Sequence, residues 1–409
     1  MRRHTLRLLP LVLGALALAC TAEDTTPTPT PPVLADAAAA DTTADAAVVT
    51  EDAAVLDAGP HPDATDPDTG PAASPDAGDL PDAAASVADA GLPGAIEVRP
   101  LATACPERSP AGATCRVLEV TCGGLEPVQV ALHAYALPAG VAQRGVIVLG
   151  SGGGGTGLWS GPASADATVA DLGRAGFLVL ERQWLVDRER GWFANASGAG
   201  VPVAACRLTS LLRWIDAEYR RDAQPLCATG NSGGSAELAF AVLRAGAGAV
   251  LDLAVPSSGP FHRMDLACDG RTDRAWQTEC AALTARNCPS CQNRGCSLGG
   301  GPRALIDGAY GMRTPCTGRS TPIDVPLLTQ DSPLVPGLVL PQTKVVLLIG
   351  EQDPGGYAPL SAALYEGLAA QGVDVAFESE PATGHEFQST EAGAERIEAV
   401  LLRECVRRH

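Results

Sequence analysis

From Val117 onward, short β-branched runs alternate with longer stretches whose apolar residues recur at helical spacing. Two strands in hairpin-like succession are predicted first, at Val117–Thr121 and Val128–Ala136. Val146–Leu149 has no polar position, as expected of a strand buried on both faces. It feeds a loop that is nearly all glycine, Gly150-Ser151-Gly152-Gly153-Gly154-Gly155. A helix over Ala163–Ala175 and a strand over Phe177–Glu181 follow. Between Pro202 and Tyr219, Val203, Cys206, Leu208, Leu211, Leu212 and Ile215 share one face of a long helix. Leu226–Thr229 predicts a short strand, Ser235–Ala245 a helix closed by Gly246, and Ala249–Val255 another strand. Beyond a cysteine-rich stretch come a strand at Lys344–Ile349, a helix at Leu360–Gln371, a strand at Val373–Glu378 and a helix near Ala392–Arg403. Alternating strands and helices imply an α/β fold, with a mostly parallel sheet covered on both faces. The order fits eight strands with an antiparallel start.

None of this patterning extends to the N-terminus. Arg2, Arg3 and Arg7 precede an apolar run, Leu8 to Ala19, too short for a mature membrane span, which makes residues 1–20 a secretory signal. The run ends Ala17-Leu18-Ala19-Cys20 and resembles a bacterial lipobox, in which Cys20 would be lipidated and become the mature N-terminus. Residues 21–95 are almost entirely Ala, Asp, Pro, Thr, Ser and Gly, with fifteen carboxylates and no lysine, arginine or aromatic residue. Such a segment cannot bury enough apolar surface to offset the entropy of ordering, so it reads as a disordered acidic tether. The chain's net charge of −18 is thus mostly the tether's, and residues 96–409 carry only −6. No basic run suggests nucleic acid, and no second apolar run is long enough to cross a membrane. A lipid on Cys20 is the expected membrane attachment, and the cell envelope the expected location.

Setting Cys20 aside leaves an even number of the 13 cysteines, which in an exported chain favours disulfides. Cys268, Cys280, Cys288, Cys291, Cys296 and Cys316 crowd one stretch. Cys288-x-x-Cys291 followed by Cys296 could begin a zinc site, but no histidine lies between His262 and His385, so disulfides are preferred and no metal is expected.

Gly230-Asn231-Ser232-Gly233-Gly234 matches G-x-S-x-G between a short apolar strand and an Ala-rich helix. A sharp strand-to-helix turn needs glycines where backbone crowds, and it exposes a serine at its apex. That serine needs a base. His133 lies inside an early strand and His262 opens the cysteine-rich stretch, whereas His385 follows the last strand in a loop. The orienting acid should sit just past the preceding strand. Asp353 is so placed, with Glu351 a rival, while Asp252 falls within a strand.

Ser232, Asp353 and His385, in that order and each in a loop after a strand, resemble an α/β-hydrolase over roughly Val117 to Arg403. The resemblance implies Ser232 as nucleophile, His385 as general base then acid, and Asp353 as its orienter. It implies an oxyanion hole from the Gly233 amide and a second amide from the glycine loop, at Gly153 or Gly154. The family's His-Gly-Gly-Gly version of that loop is absent, since Ser151 precedes the glycines. Phe261–Leu340 then corresponds to a cap over the site, its six cysteines suggesting a lid held rigid by disulfides.

The expected activity is hydrolysis of small-molecule or polymeric carboxylic esters without a cofactor. A serine peptidase of the same fold is the runner-up, and a non-catalytic surface lipoprotein that keeps the fold for binding is the alternative from another class. Gly150-x-Gly152-x-x-Gly155 with Glu181 also satisfies a dinucleotide-binding fingerprint. Against it, the loop runs on through Thr156-Gly157-Leu158-Trp159 rather than into a helix. Phe261 to Ser320 holds eight arginines against five acids, which raises a mild preference for anionic substrates against the simpler reading of a solvated surface.

Overall fold

The computed structural model describes residues 97–407 except 108, 111, 187–190, 195–197, 222, 270–272, 292–294, 299 and 318–321. The predicted signal, Cys20 and the predicted tether lie outside the described residues. The chain separates into Met1–Gly78 and Asp79–His409, and every described residue belongs to the second unit.

Nine strands form one sheet: β1 Glu97–Pro100, β2 Ala113–Thr121, β3 Val128–Tyr135, β4 Gly145–Gly150, β5 Phe177–Trp184, β6 Leu226–Asn231, β7 Leu253–Ser257, β8 Lys344–Gly350 and β9 Val375–Glu380. Their order is β1-β2-β3-β5-β4-β6-β7-β8-β9. The first three pairings are antiparallel and the rest parallel. The helices are α1 Ala163–Arg174, α2 Val201–Ala204, α3 Cys206–Tyr219, α4 Gly233–Leu243, α5 Met264–Asp269, α6 Arg274–Asn287, α7 Gly300–Gly308, α8 Val325–Gln330, α9 Tyr357–Ala370 and α10 Glu391–Glu404.

The sheet is a two-faced core. Every residue of β4 is buried, and alternate side chains serve opposite faces. Val146 and Val148 pack with residues of α3, α4 and α9, whereas Ile147 and Leu149 pack with α1 and α10. This explains why β4 reads as an uninterrupted apolar run.

Among the described residues the sheet has nine strands, not eight. The additional β1 pairs with β2 at the edge. It is short, largely exposed and ends in Pro100, so it carries no alternation to read. The long helix predicted between Pro202 and Tyr219 is divided at Ala205 into α2 and α3. The strand predicted from Ala249 begins only at Leu253, and Ala249 itself ends a short 3-10 turn. Asp252 therefore precedes β7, where its carboxylate accepts the Leu226 amide at 3.0 Å and pairs with Arg220 and Arg407.

All twelve cysteines between Cys105 and Cys405 are paired. Cys227–Cys405 ties β6 to the end of α10, and Cys122–Cys206 ties the β2–β3 connection to α3. The stretch Phe261–Leu340 contains α5 to α8 and three internal disulfides, Cys268–Cys316, Cys280–Cys296 and Cys288–Cys291. Cys296 and Cys316 flank α7, so that helix is anchored on both sides, to α6 and to α5. Among the described residues, no helix is long and apolar enough to cross a membrane.

Candidate active site

In register, Gly150 at the end of β4 lies opposite Gly230 at the end of β6. The glycine loop and the turn carrying Ser232 therefore leave the sheet side by side, at the carboxyl ends of parallel strands, where crevices form in such sheets. Gly350 ends β8 and Glu380 ends β9 in the same register, so the loops bearing Asp353 and His385 emerge at that edge too.

Ser232 sits at φ 53° and ψ −118°, outside the regions a non-glycine residue ordinarily occupies. Its amide donates to the Ser257 carbonyl at 2.8 Å, which pins the turn to the end of β7. The flanking glycines are required by close approach. A Cβ on Gly233 would run into the Gly153 carbonyl, and one on Gly234 into the Ser151 carbonyl. The elbow and the glycine loop are thus in backbone contact. The helix begins at Gly233, two residues earlier than its apolar pattern suggests.

Ser232 Oγ lies 2.8 Å from His385 Nε2, and His385 Nδ1 lies 2.7 Å from Asp353 Oδ2. A carboxylate only accepts, so Nδ1 carries the proton it shares with Asp353, and Nε2 is left to accept the Ser232 hydroxyl. The other Asp353 oxygen accepts the Gly355 amide at 2.9 Å. Burial lowers the proton affinity of His385, but the hydrogen bond and charge of Asp353, with Glu386, outweigh it and leave the imidazole pKa raised. Asn231 braces the arrangement: its amide donates to Glu386 at 3.3 Å, and its oxygen accepts from Ser257 Oγ and the Phe387 amide.

The remaining candidates fall elsewhere. Glu351 accepts the Ser379 hydroxyl at 2.7 Å. His133 is buried within β3, and burial lowers its pKa. His262 packs its ring 5.1 Å from Trp276, and burial pushes it down to about 4. Glu181, the acid of the dinucleotide reading, is fully buried and accepts from Tyr135, the Ser160 hydroxyl and the Ser160 amide. The glycine loop meets no helix until α1, so neither part of that fingerprint has its required context.

Within the loop, the Gly155 amide donates to Gly152 at 3.0 Å, whereas those of Gly153 and Gly154 have no partner among the described residues. The Gly233 amide heads α4, where helix geometry leaves it without a partner in its own helix.

Two features escaped the sequence reading. Arg182 on β5 and Glu237 on α4 form a buried ion pair beneath the glycine loop. Trp184 Nε1 also donates to Glu237, at 2.9 Å. A Cβ at Gly150 or Gly155 would strike the Arg182 guanidinium, so this pair underlies the loop directly. Burial works against both charges, raising Glu237 and lowering Arg182, while their attraction opposes it. A lone carboxylate in the otherwise apolar run of α4 was the available signal. The second feature is Tyr357, whose ring centroid lies 4.7 Å from that of His385.

Ser232 opens on a small cavity of about 40 Å³, lined by Phe193, Gly233, Phe261, Leu305, Ile306 and Tyr357, among others. Leu305 and Ile306 belong to α7, so the insertion does cover the serine. No charged side chain lines this cavity among the described residues. Of the arginines in this stretch, Arg263 pairs with Asp265 and Arg286 with Glu366.

No protein-family model matches the sequence, and no curated protein matches it. Similar solved structures include brefeldin A esterase, a bacterial homologue of human hormone-sensitive lipase, at 18% identity and a TM-score of 0.46, covering 74% of this chain and 79% of that one. A Mycobacterium tuberculosis puromycin-hydrolyzing peptidase is 17% identical with a TM-score of 0.46, covering 73% of this chain and 40% of its own length. A thermostable esterase from Pseudomonas putida is 16% identical with a TM-score of 0.42, covering 72% and 82%. The chain thus spans about two fifths of the peptidase and about four fifths of the two esterases. The strand order, the strained serine between β6 and α4, and the succession Ser232, Asp353, His385 in loops at one sheet edge are those of the α/β-hydrolase fold.

Proposed function

We propose that this protein is an exported serine hydrolase that cleaves carboxylic esters. The continuous relay from Ser232 Oγ to His385 Nε2 and from Nδ1 to Asp353, at 2.8 and 2.7 Å, carries the reading. In this reading Ser232 attacks the ester carbonyl as its proton passes to His385. The Gly233 amide, with that of Gly153 or Gly154, receives the charge developing on the carbonyl oxygen. Each such donor contributes roughly 3 kcal/mol to lowering the barrier. His385 then protonates the departing alcohol, and finally takes a proton from the water that releases the acid. The apolar cavity beside Ser232 suits an uncharged acyl group and gives no support to a preference for anionic ones.

Six disulfides favour an oxidising compartment, in keeping with export and with attachment through a lipid on Cys20. Fluorophosphonate labelling of the wild type and of Ser232→Ala, beside hydrolysis of p-nitrophenyl esters of graded acyl length, tests the activity. Labelling confined to the wild type, with turnover of short esters, is expected. A folded wild type that is neither labelled nor active would overturn the proposal.

A further inference from the structure

His385 is gripped at its two nitrogens by Ser232 and Asp353, but an imidazole also has faces. Tyr357, the first residue of α9, lays its ring against one of them. The centroids are 4.7 Å apart and the planes tilted by 38°. A Cβ on Gly355 would strike the Tyr357 ring, so the turn between Asp353 and α9 closes around it. Tyr357 also lines the cavity onto which Ser232 opens. Burial, followed by the charge of Asp353, pushes the phenol pKa up, so the ring remains neutral.

This placement matters at one moment of the reaction. When the Ser232 proton moves to Nε2, the imidazole becomes a cation beneath an aromatic face. A ring quadrupole attracts a cation within about 6 Å of its centroid, and more strongly where water is excluded. The side chain of His385 is only 27% exposed. The attraction exists only in the charged form, and so acts on the transition state rather than on the resting enzyme. We propose that Tyr357 is a fourth member of the site, whose ring stabilises the His385 imidazolium formed as Ser232 attacks. The proposal rests on the serine-hydrolase reading for its catalytic consequence, although the ring–imidazolium interaction itself does not.

The groups facing His385 are few. They are Asp353 from the loop after β8, Ser232 from the elbow, Tyr357 from α9 and Glu386 from its own loop. The Glu386 carboxylate is shared with the amides of Asn231 and Gln388. A change confined to the electron density of the Tyr357 ring leaves all of these in place.

The test is to replace Tyr357 with phenylalanine and then with mono-, di- and trifluorophenylalanine, which keep the ring's shape while draining its face of charge. The His385 titration midpoint is read by NMR in the full chain, with no need for turnover. Phenylalanine should leave the midpoint near the wild-type value, and added fluorines should lower it stepwise, by roughly one pH unit over the series. The rate of fluorophosphonate labelling at Ser232 should fall in parallel by several-fold. A midpoint unmoved across the series overturns the proposal, whatever the labelling does. A midpoint that moves in a protein never labelled at Ser232 leaves the ring–imidazolium contact standing and refutes the serine-hydrolase reading instead.

Discussion

Asp353→Asn perturbs His385 without emptying the site, and the geometry says why an isosteric change should be severe. Asp353 serves two donors with two oxygens: Oδ2 takes the His385 Nδ1–H at 2.7 Å and Oδ1 takes the Gly355 amide at 2.9 Å. Asparagine has one acceptor oxygen and one NH₂. If its oxygen stays with Gly355, which the turn requires, its NH₂ faces Nδ1. The imidazole must then hold its proton on Nε2, where it cannot accept the Ser232 hydroxyl. Mispositioned tautomers of this kind cost roughly 10⁴-fold in kcat in a serine protease, and a loss of that order is expected here.

The same change moves the pH profile in a determined direction. The proposed mechanism needs neutral His385, so wild-type activity is expected to fall as pH drops through an imidazole pKa raised above the ordinary value. Loss of the Asp353 charge leaves burial as the larger influence, and the acid limb should shift to lower pH. For stability the sign is opposite. A raised imidazole pKa contributes stability that is complete below the unfolded value and is lost as pH rises through the folded one. Profiles of kcat/KM between pH 5 and 9 for wild type, Asp353→Asn and Glu351→Gln decide the matter. Glu351→Gln should behave as wild type, because Glu351 is engaged by Ser379. Asp353→Asn within about tenfold of wild type at pH 8, on the scale of that 10⁴-fold loss, would refute the assignment.

Further outcomes follow from the same geometry. Gly233→Ala places a methyl against the Gly153 carbonyl and must part the elbow from the glycine loop. It should cost at least about 100-fold in kcat with little change in KM, measured on a short ester. Ile306→Ala enlarges the cavity at Ser232 and should shift the preferred acyl length upward in a p-nitrophenyl ester panel, while costing about 2–5 kcal/mol of stability in urea unfolding. Cys405→Ser opens a loop of 178 residues closed on β6. Chain entropy places the loss at about 5 kcal/mol, to be read from denaturant midpoints.

The sequence determined the class of fold and the order of the candidate site residues, because both are written in local patterns. The unbroken apolar run of β4, short and bounded by glycines, fits a strand buried on both faces. Gly230-Asn231-Ser232-Gly233-Gly234 encodes its own turn, since the backbone approaches at Gly233 and Gly234 exclude any side chain. Asp353 was preferred to Glu351 from its place beyond a buried strand, and the structure brings Asp353 to His385 while Glu351 turns to Ser379. Local patterns failed where pairing, not propensity, makes the element. The edge strand β1 has no periodicity of its own and exists because β2 offers it a partner. The strand begins at Leu253 rather than near Ala249, and Asp252 just before it is a buried acceptor for the Leu226 amide.

Tertiary structure alone decided what surrounds the serine. The remote disulfides Cys122–Cys206 and Cys227–Cys405, Tyr357 against His385, Arg182 and Glu237 beneath the glycine loop, and α7 over the cavity all join segments far apart in sequence. Each is set by how the sheet edge gathers its loops. Spacing along a chain fixes periodicity and turns, which depend on neighbours. It does not fix the distance between side chains that only a folded sheet brings together, and the geometry of this candidate site resides in those distances.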